Sequence, residues 1–169
     1  PAGDMPELHE VNALVEQLDE QLRGSVIARL DVPTFSALKT FDPPTTALGG
    51  LSIDGVRRIG KHVVIDVSGL HVVVHLMRAG WMAMRAIDPN KPTRRGKGPL
   101  AARVVLAEGQ ALDITDASTQ KKVSVYVVRD VNDVPSIARL GPDPLADGFD
   151  RATLDALLDE AGRTQIKRV

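Results

Sequence analysis

The chain has 169 residues, 43% hydrophobic and 25% charged, with a formal net charge of −1. That length fits one domain, or one domain plus a fragment, and a chain of this size buries about 70% of its unfolded surface. Cysteine is absent, which excludes a disulfide framework, a thiolate metal site and a cysteine nucleophile within these residues. The longest apolar runs fall far short of the roughly 18 residues needed to span a bilayer, and no charged-then-apolar signal opens the chain, so the expected setting is the cytoplasm.

The near-neutral total hides an uneven distribution. Residues 1–56 carry nine acids against three bases, 57–129 carry thirteen bases against five acids, and 130–169 carry eight acids against five bases. The central excess of eight positive charges is a candidate polyanion surface. Aromatic residues make up only 3%, which argues against stacking on single-stranded bases as a mode of binding.

In chain order, Leu8, Val11, Leu14, Val15, Leu18 and Leu22 recur at three- and four-residue steps and predict an amphipathic helix that ends near Gly24. Ser25–Val32 reads as a strand, with Val26, Ala28, Leu30 and Val32 on one face and Ile27 and Arg29 on the other. After the Asp42-Pro43-Pro44 and Gly49-Gly50 turns, 51–85 reads as a β-meander with turns at Gly60-Lys61, Ser68-Gly69 and Arg78-Ala79-Gly80. A basic loop, Asp88–Pro99, holds Lys91, Arg94, Arg95 and Lys97, and strands follow at 101–106, 111–115 and 122–128. About eight short strands with frequent turn signals predict a sandwich or barrel. Pro135–Leu140 suits one or two helical turns, and Gly141-Pro142-Asp143-Pro144 suits a linker. Asp150 or Thr153 is positioned to cap a helix containing Leu154, Leu157 and Leu158, and 164–169 reads as the opening of another.

Met5-Pro6-Glu7-Leu8-His9-Glu10-Val11 is the most informative segment. As plain structure it is a helix start with proline in the first turn and acids on the positive end of the dipole. It also resembles the M-P-E-L-P-E-V start of the formamidopyrimidine-DNA glycosylase and endonuclease VIII family. Further similarities follow in the family's order. Arg57-Arg58-Ile59-Gly60-Lys61-His62 is similar to its R-R-x-G-K-Y turn, and Val74-His75-Leu76 to a strand ending in H-L. Leu140-Gly141-Pro142-Asp143-Pro144-Leu145 is similar to its interdomain linker, and Ile166-Lys167-Arg168-Val169 to the opening of a helix in its helix-two-turns-helix domain. Lys39-Thr40-Phe41-Asp42-Pro43-Pro44 and Arg78-Ala79-Gly80-Trp81 resemble an actinobacterial endonuclease VIII-like branch.

The resemblance implies an α+β domain: an N-terminal helix packed on an eight-stranded antiparallel β-sandwich over 6–140, a linker over 141–150 and the truncated start of a helical domain over 151–169, with 1–5 an extension. It implies a bifunctional DNA glycosylase and abasic-site lyase of base excision repair acting on damaged double-stranded DNA. Oxidised pyrimidines are favoured as substrates on the branch resemblance. Pro6 would be the amine nucleophile, Glu7 the general acid, Lys61 a phosphate holder and Glu10 a supporting residue. Arg57, Arg58, Arg78, Lys121 and Lys122 would face DNA.

No metal or cofactor is expected in these residues; a zinc site would belong to a region C-terminal to them. Three departures matter. Met5 precedes Pro6, and an acylated proline nitrogen is an amide without nucleophilicity. His9 replaces the second proline. Arg78 and 116–121 stand where the family carries its wedge residues. The alternative reading is a catalytically silent DNA-binding module. His71 and His75 lie about 13 Å apart on one strand face at this spacing, too far for one ion.

Overall fold

The computed structural model describes residues 7–95, 98–140 and 151–161. Helix α1 (Leu8–Leu22) buries Val11, Leu14, Val15, Leu18 and Leu22, the face read from the periodicity. It ends where Gly24 adopts φ +84°, a conformation open to glycine at little cost. Asp19 fastens the helix to the sheet beneath, accepting from Arg23 Nη2 at 2.8 Å and from the Val56 backbone N–H at 2.7 Å. The guanidinium of Arg23, and after it the Val56 N–H, hold the Asp19 carboxyl below its ordinary pKa.

Eight strands follow: β1 (Ile27–Asp31), β2 (Ile53–Ile59), β3 (His62–Val67), β4 (Leu70–His75), β5 (Gly80–Ala86), β6 (Leu100–Leu106), β7 (Gln110–Asp116) and β8 (Ser124–Val128). They form two four-stranded antiparallel sheets, ordered β1-β6-β7-β5 and β2-β3-β4-β8. Between the sheets lie Val63, Ile65, Val72, Val74, Val125 and Val127 from one and Ile27, Met82, Val104, Leu112 and Ile114 from the other. Each fully buried aliphatic side chain contributes about 1.5–3 kcal/mol. A second cluster covers the outer face of β3, β4 and β8, where α2 (Pro135–Ala138) lays Ile137 over Val64, Val73 and Val128. Helix α3 spans Arg151–Ala161.

Three expectations need correction. The meander stops at β4, because β8 occupies the neighbouring edge from His71↔Val128 to His75↔Ser124, and β5 crosses to pair with β7. On β1 the buried residues are Ile27 and Leu30, with Ala28 exposed, because a bulge between Ile27 and Arg29 breaks the alternation. Thr153 lies inside α3, past its first residue Arg151, whereas Asp150, the 141–150 linker and residues 164–169 fall outside the described residues.

The crossing from β4 to β5 is tight. Met77 takes φ +55°, and the Gly80 N–H donates to Leu76 O at 2.9 Å. A Cβ on Gly80 would sit 2.3 Å from Leu76 O and 2.5 Å from Val123 Cγ2. Gly80→Ala should therefore destabilise the domain by about 2 kcal/mol or more, read as a lower urea midpoint. An unchanged midpoint would contradict this packing.

Candidate active site

Strand register gathers the site. Ile59 pairs with His62, His62 with His75, and His75 with Ser124. The Gly60-Lys61 turn, the 76–79 corner and the 121–123 segment are thereby lined up along one end of a single sheet. Helix α1 packs on β2 and delivers Glu7 to the same end, where its Oε2 lies 4.0 Å from Lys61 Nζ. The two side chains are 61% and 36% exposed, so the pair adds little to stability. Its interest is chemical. Arg58 ties the helix to this turn, donating from Nε to Asn12 Oδ1 at 3.1 Å and from Nη1 to Gly60 O at 3.0 Å.

Behind the turn, the His62 and His75 rings meet edge to face with centroids 4.6 Å apart. His62 is 3% exposed. Its Nδ1 lies 3.1 Å from Ile59 O, a carbonyl that only accepts, so the ring proton sits on Nδ1 and Nε2 accepts from Ser136 Oγ at 2.7 Å. His75 accepts the Met77 N–H on Nδ1 at 3.1 Å, leaving its proton on Nε2. Burial lowers the pKa of His62; burial, with the repulsion that a protonated His62 and Lys61 would exert, takes His75 down to about 4, so both rings are neutral at pH 7.

Beside the corner opens a cleft of about 610 Å³, lined by Met77, Arg78, Ser118, Thr119, Gln120 and Lys122 among others. Asp116, 1% exposed, organises its far wall. The carboxylate accepts from Ser118 N at 2.9 Å, Ser118 Oγ at 2.5 Å and Val123 N at 2.9 Å. Burial acts to raise its pKa, but the Ser118 and Val123 donors and the Lys121 charge outweigh that and the net direction is down.

Of the residues singled out from sequence, Glu7, Arg58 and Lys61 meet at the turn, and Arg78 and Lys122 share the cleft. Lys121 lies next to the cleft with its Nζ donating to Asp116 O at 2.7 Å. Glu10 is exposed on α1. Arg57 is not brought to this group: it pairs with Asp66 at 2.8 Å, further along the sheet, and Asp66 also holds His71 Nδ1 at 2.6 Å. Pro6 lies outside the described residues. Among the described residues no three His, Asp or Glu side chains cluster as a metal site. The histidine pair and Asp116 are not apparent from residue spacing, because each depends on cross-strand register and on the course of the 117–123 loop.

Unfolded His75 takes up a proton near 6.5 and folded His75 near 4. Its contribution to stability is therefore complete above about pH 6.5, declines as the pH falls towards 4 and is at most about 3 kcal/mol; His62 acts in the same direction. His75→Asn keeps an acceptor for Met77 N–H and cannot be protonated. Urea unfolding at pH 7 and pH 4.5 should show a smaller pH-dependent loss in the variant, and an equal loss would contradict the assignment.

The profile of the formamidopyrimidine-DNA glycosylase N-terminal domain matches residues 5–123. The formamidopyrimidine-DNA glycosylase of Moorella thermoacetica is 34% identical over 173 residues, covering 98% of this chain and 59% of that protein. That of Desulforamulus reducens is 30% identical over 167 residues, covering 96% and 58%. Two solved structures share the fold. The Lactococcus lactis formamidopyrimidine-DNA glycosylase bound non-covalently to DNA containing an abasic site has a TM-score of 0.75 at 19% identity, covering 92% of this chain and 58% of that one. The same enzyme with Fapy-dG-containing DNA gives 0.74 at 20% identity, covering 90% and 56%. The chain thus spans under two thirds of the length of these relatives. No helix among the described residues is long and apolar enough to cross a membrane. The profile match, supported by the two-sheet architecture, establishes that this chain belongs to the formamidopyrimidine-DNA glycosylase family and carries that family's N-terminal domain.

Proposed function

We propose that this chain supplies the catalytic half of a DNA glycosylase and abasic-site lyase that removes a damaged base and cleaves the strand. The observation that carries this reading is the approach of Glu7 and Lys61 at the end of the sheet, next to the first residues of α1. The nucleophile is the secondary amine of Pro6. An α-amino group is far less basic than lysine, so a substantial fraction is unprotonated at neutral pH. The amine nitrogen bonds to C1′ as the base–sugar bond breaks and the departing base takes up a proton. The Glu7 carboxyl protonates the sugar ring oxygen, which opens the ring and leaves a cationic iminium (Schiff base) between Pro6 and C1′. Loss of a C2′ proton and then of a C4′ proton from that conjugated system expels first the 3′ and then the 5′ phosphate. Lys61 holds a flanking phosphate as a point charge.

DNA lies across the aligned end of the sheet, with Lys61, Arg58, Arg78 and Lys122 towards its backbone; Lys121, whose Nζ donates to Asp116 O, shapes the loop that carries Lys122. Arg57, occupied by Asp66, contributes least. Two of the structures sharing this fold hold abasic-site or Fapy-dG DNA, which supports this choice of partner. The 169 residues alone should bind duplex weakly, since the relatives are considerably longer.

The chemistry requires a free Pro6 nitrogen. Protein beginning at Pro6 should be trapped covalently on abasic-site DNA by borohydride, and protein carrying residues 1–5 should not. Equal trapping of both would assign the nucleophile to another amine; trapping of neither would favour a non-catalytic DNA-binding module. In duplex binding against salt, Lys61→Ala should lower the log–log slope by about 0.9, and Arg57→Ala should leave it unchanged. The reverse pattern would move the interface away from the turn.

A further inference from the structure

Of the four aromatic side chains described, three are exposed: Phe35 at 71%, Phe41 at 67% and Trp81 at 45%. Phe35 and Phe41 face one another with ring centroids 6.0 Å apart and planes inclined by 30°. Their exposure does not come from a loose segment. Thr34 Oγ1 donates to Leu100 O at 3.0 Å, Ala37 is buried, Lys39 N donates to Val125 O at 2.9 Å, and Thr40 Oγ1 donates to Val127 O and accepts Val127 N–H at 3.0 and 2.8 Å. The backbone around both rings is thus tied to β6 and β8, and the rings are held out to solvent.

Phe35 lines a groove of about 510 Å³ together with Leu30, Val32 and Leu38 and, from the loop that forms its rim, Thr93 and Arg95. That volume lies within the roughly 300–1,000 Å³ of small-ligand sites. The rim belongs to the long 87–99 connection between β5 and β6, which are separated in the sheet by β7 alone. Connections of this length are uncommon and usually functional. Arg29 fixes the loop, donating to Pro89 O at 2.6 Å and Lys91 O at 2.9 Å while pairing with Asp31 at 3.0 Å, and Thr93 Oγ1 donates to Asp31 at 2.7 Å. Arg29 and Asp31 therefore cancel. Exposed Lys91, Arg94 and Arg95 make no ion pair among the described residues and give the groove and the adjoining cleft a positive rim.

We propose that this groove binds single-stranded nucleic acid, with unpaired bases stacking on Phe35 and Phe41 and phosphates on Arg94 and Arg95. An ordered aromatic platform beside a cationic rim is the combination that single-strand binding uses. Paired bases, already stacked on one another, do not present their faces to such rings. The groove lies at the β1 edge, apart from the Glu7–Lys61 turn, and the proposal does not depend on the glycosylase reading.

The test measures binding of a fluorescent oligodeoxythymidine by anisotropy to the 169-residue chain, to Phe35→Ala and to Arg95→Ala. Both side chains are exposed, so both variants should melt like the parent. Phe35→Ala should weaken binding roughly 5- to 100-fold with an unchanged salt slope, and Arg95→Ala should lower the slope by about 0.7. A base-free deoxyribose-phosphate oligomer should bind the parent no better than oligodeoxythymidine binds Phe35→Ala. With both proteins beginning at Pro6, borohydride trapping of Phe35→Ala on abasic duplex should equal that of the protein without the substitution, which separates this site from the catalytic one. No binding of oligodeoxythymidine, equal affinity of Phe35→Ala and parent, or displacement of the oligomer by an equimolar amount of duplex would each overturn the proposal.

Discussion

The antiparallel register that sets Ile59 against His62, His62 against His75 and His75 against Ser124 is the constraint on which the rest of the structure depends. A slip of one residue would exchange the two faces of a strand. In β3 it would move Val63, Ile65 and Val67 out of the core and put His62, Val64 and Asp66 in their place. The cost of that exchange locks the register, and the register locks the site. Lys61 sits at its turn because Ile59 and His62 close a hairpin. Arg78 and Lys122 meet because β4 ends where β8 begins.

Several cations of the central basic block are engaged within the fold. Arg57 is held by Asp66, Arg103 by Asp113 at 2.6 Å, and Lys121 donates into its own loop. These cations organise the fold. Of the exposed cations, Arg78 and Lys122 lie beside the aligned sheet end, and Lys91, Arg94 and Arg95 lie over the β1 edge. The positive excess read along the chain therefore divides in space into two surfaces, one next to Glu7 and Lys61 and one next to Phe35.

Helix α1, eight strands and their order along the chain were legible because apolar periods of 3.6 and 2 are local and are broken by glycine and proline turns. The bulge in β1 was not, since Ile27, Ala28 and Leu30 alternate in a way that permits either face. The exit of β5 to the other sheet was not, because it depends on β8 competing for the edge of β4 from fifty residues away. In the candidate site, Glu7 and Lys61 could be named from motif order, but their approach depends on α1 packing over β2. Low aromatic content said nothing about exposure: Phe35 and Phe41 are held out by backbone anchors at Thr34 and Thr40, while Tyr126 packs into the second cluster.

The central claim is that one end of the β2-β3-β4-β8 sheet is the DNA-facing surface. The most direct measurement is amide chemical-shift mapping of the chain during titration with an abasic-site duplex. Glu7, Gly60, Lys61, Met77, Arg78 and Ser118 to Lys122 should shift together, while Ser68 and Gly69, at the far end of the same sheet, remain unmoved. Shifts centred on Ser68 and Gly69, or spread evenly over both sheet ends, would contradict the account.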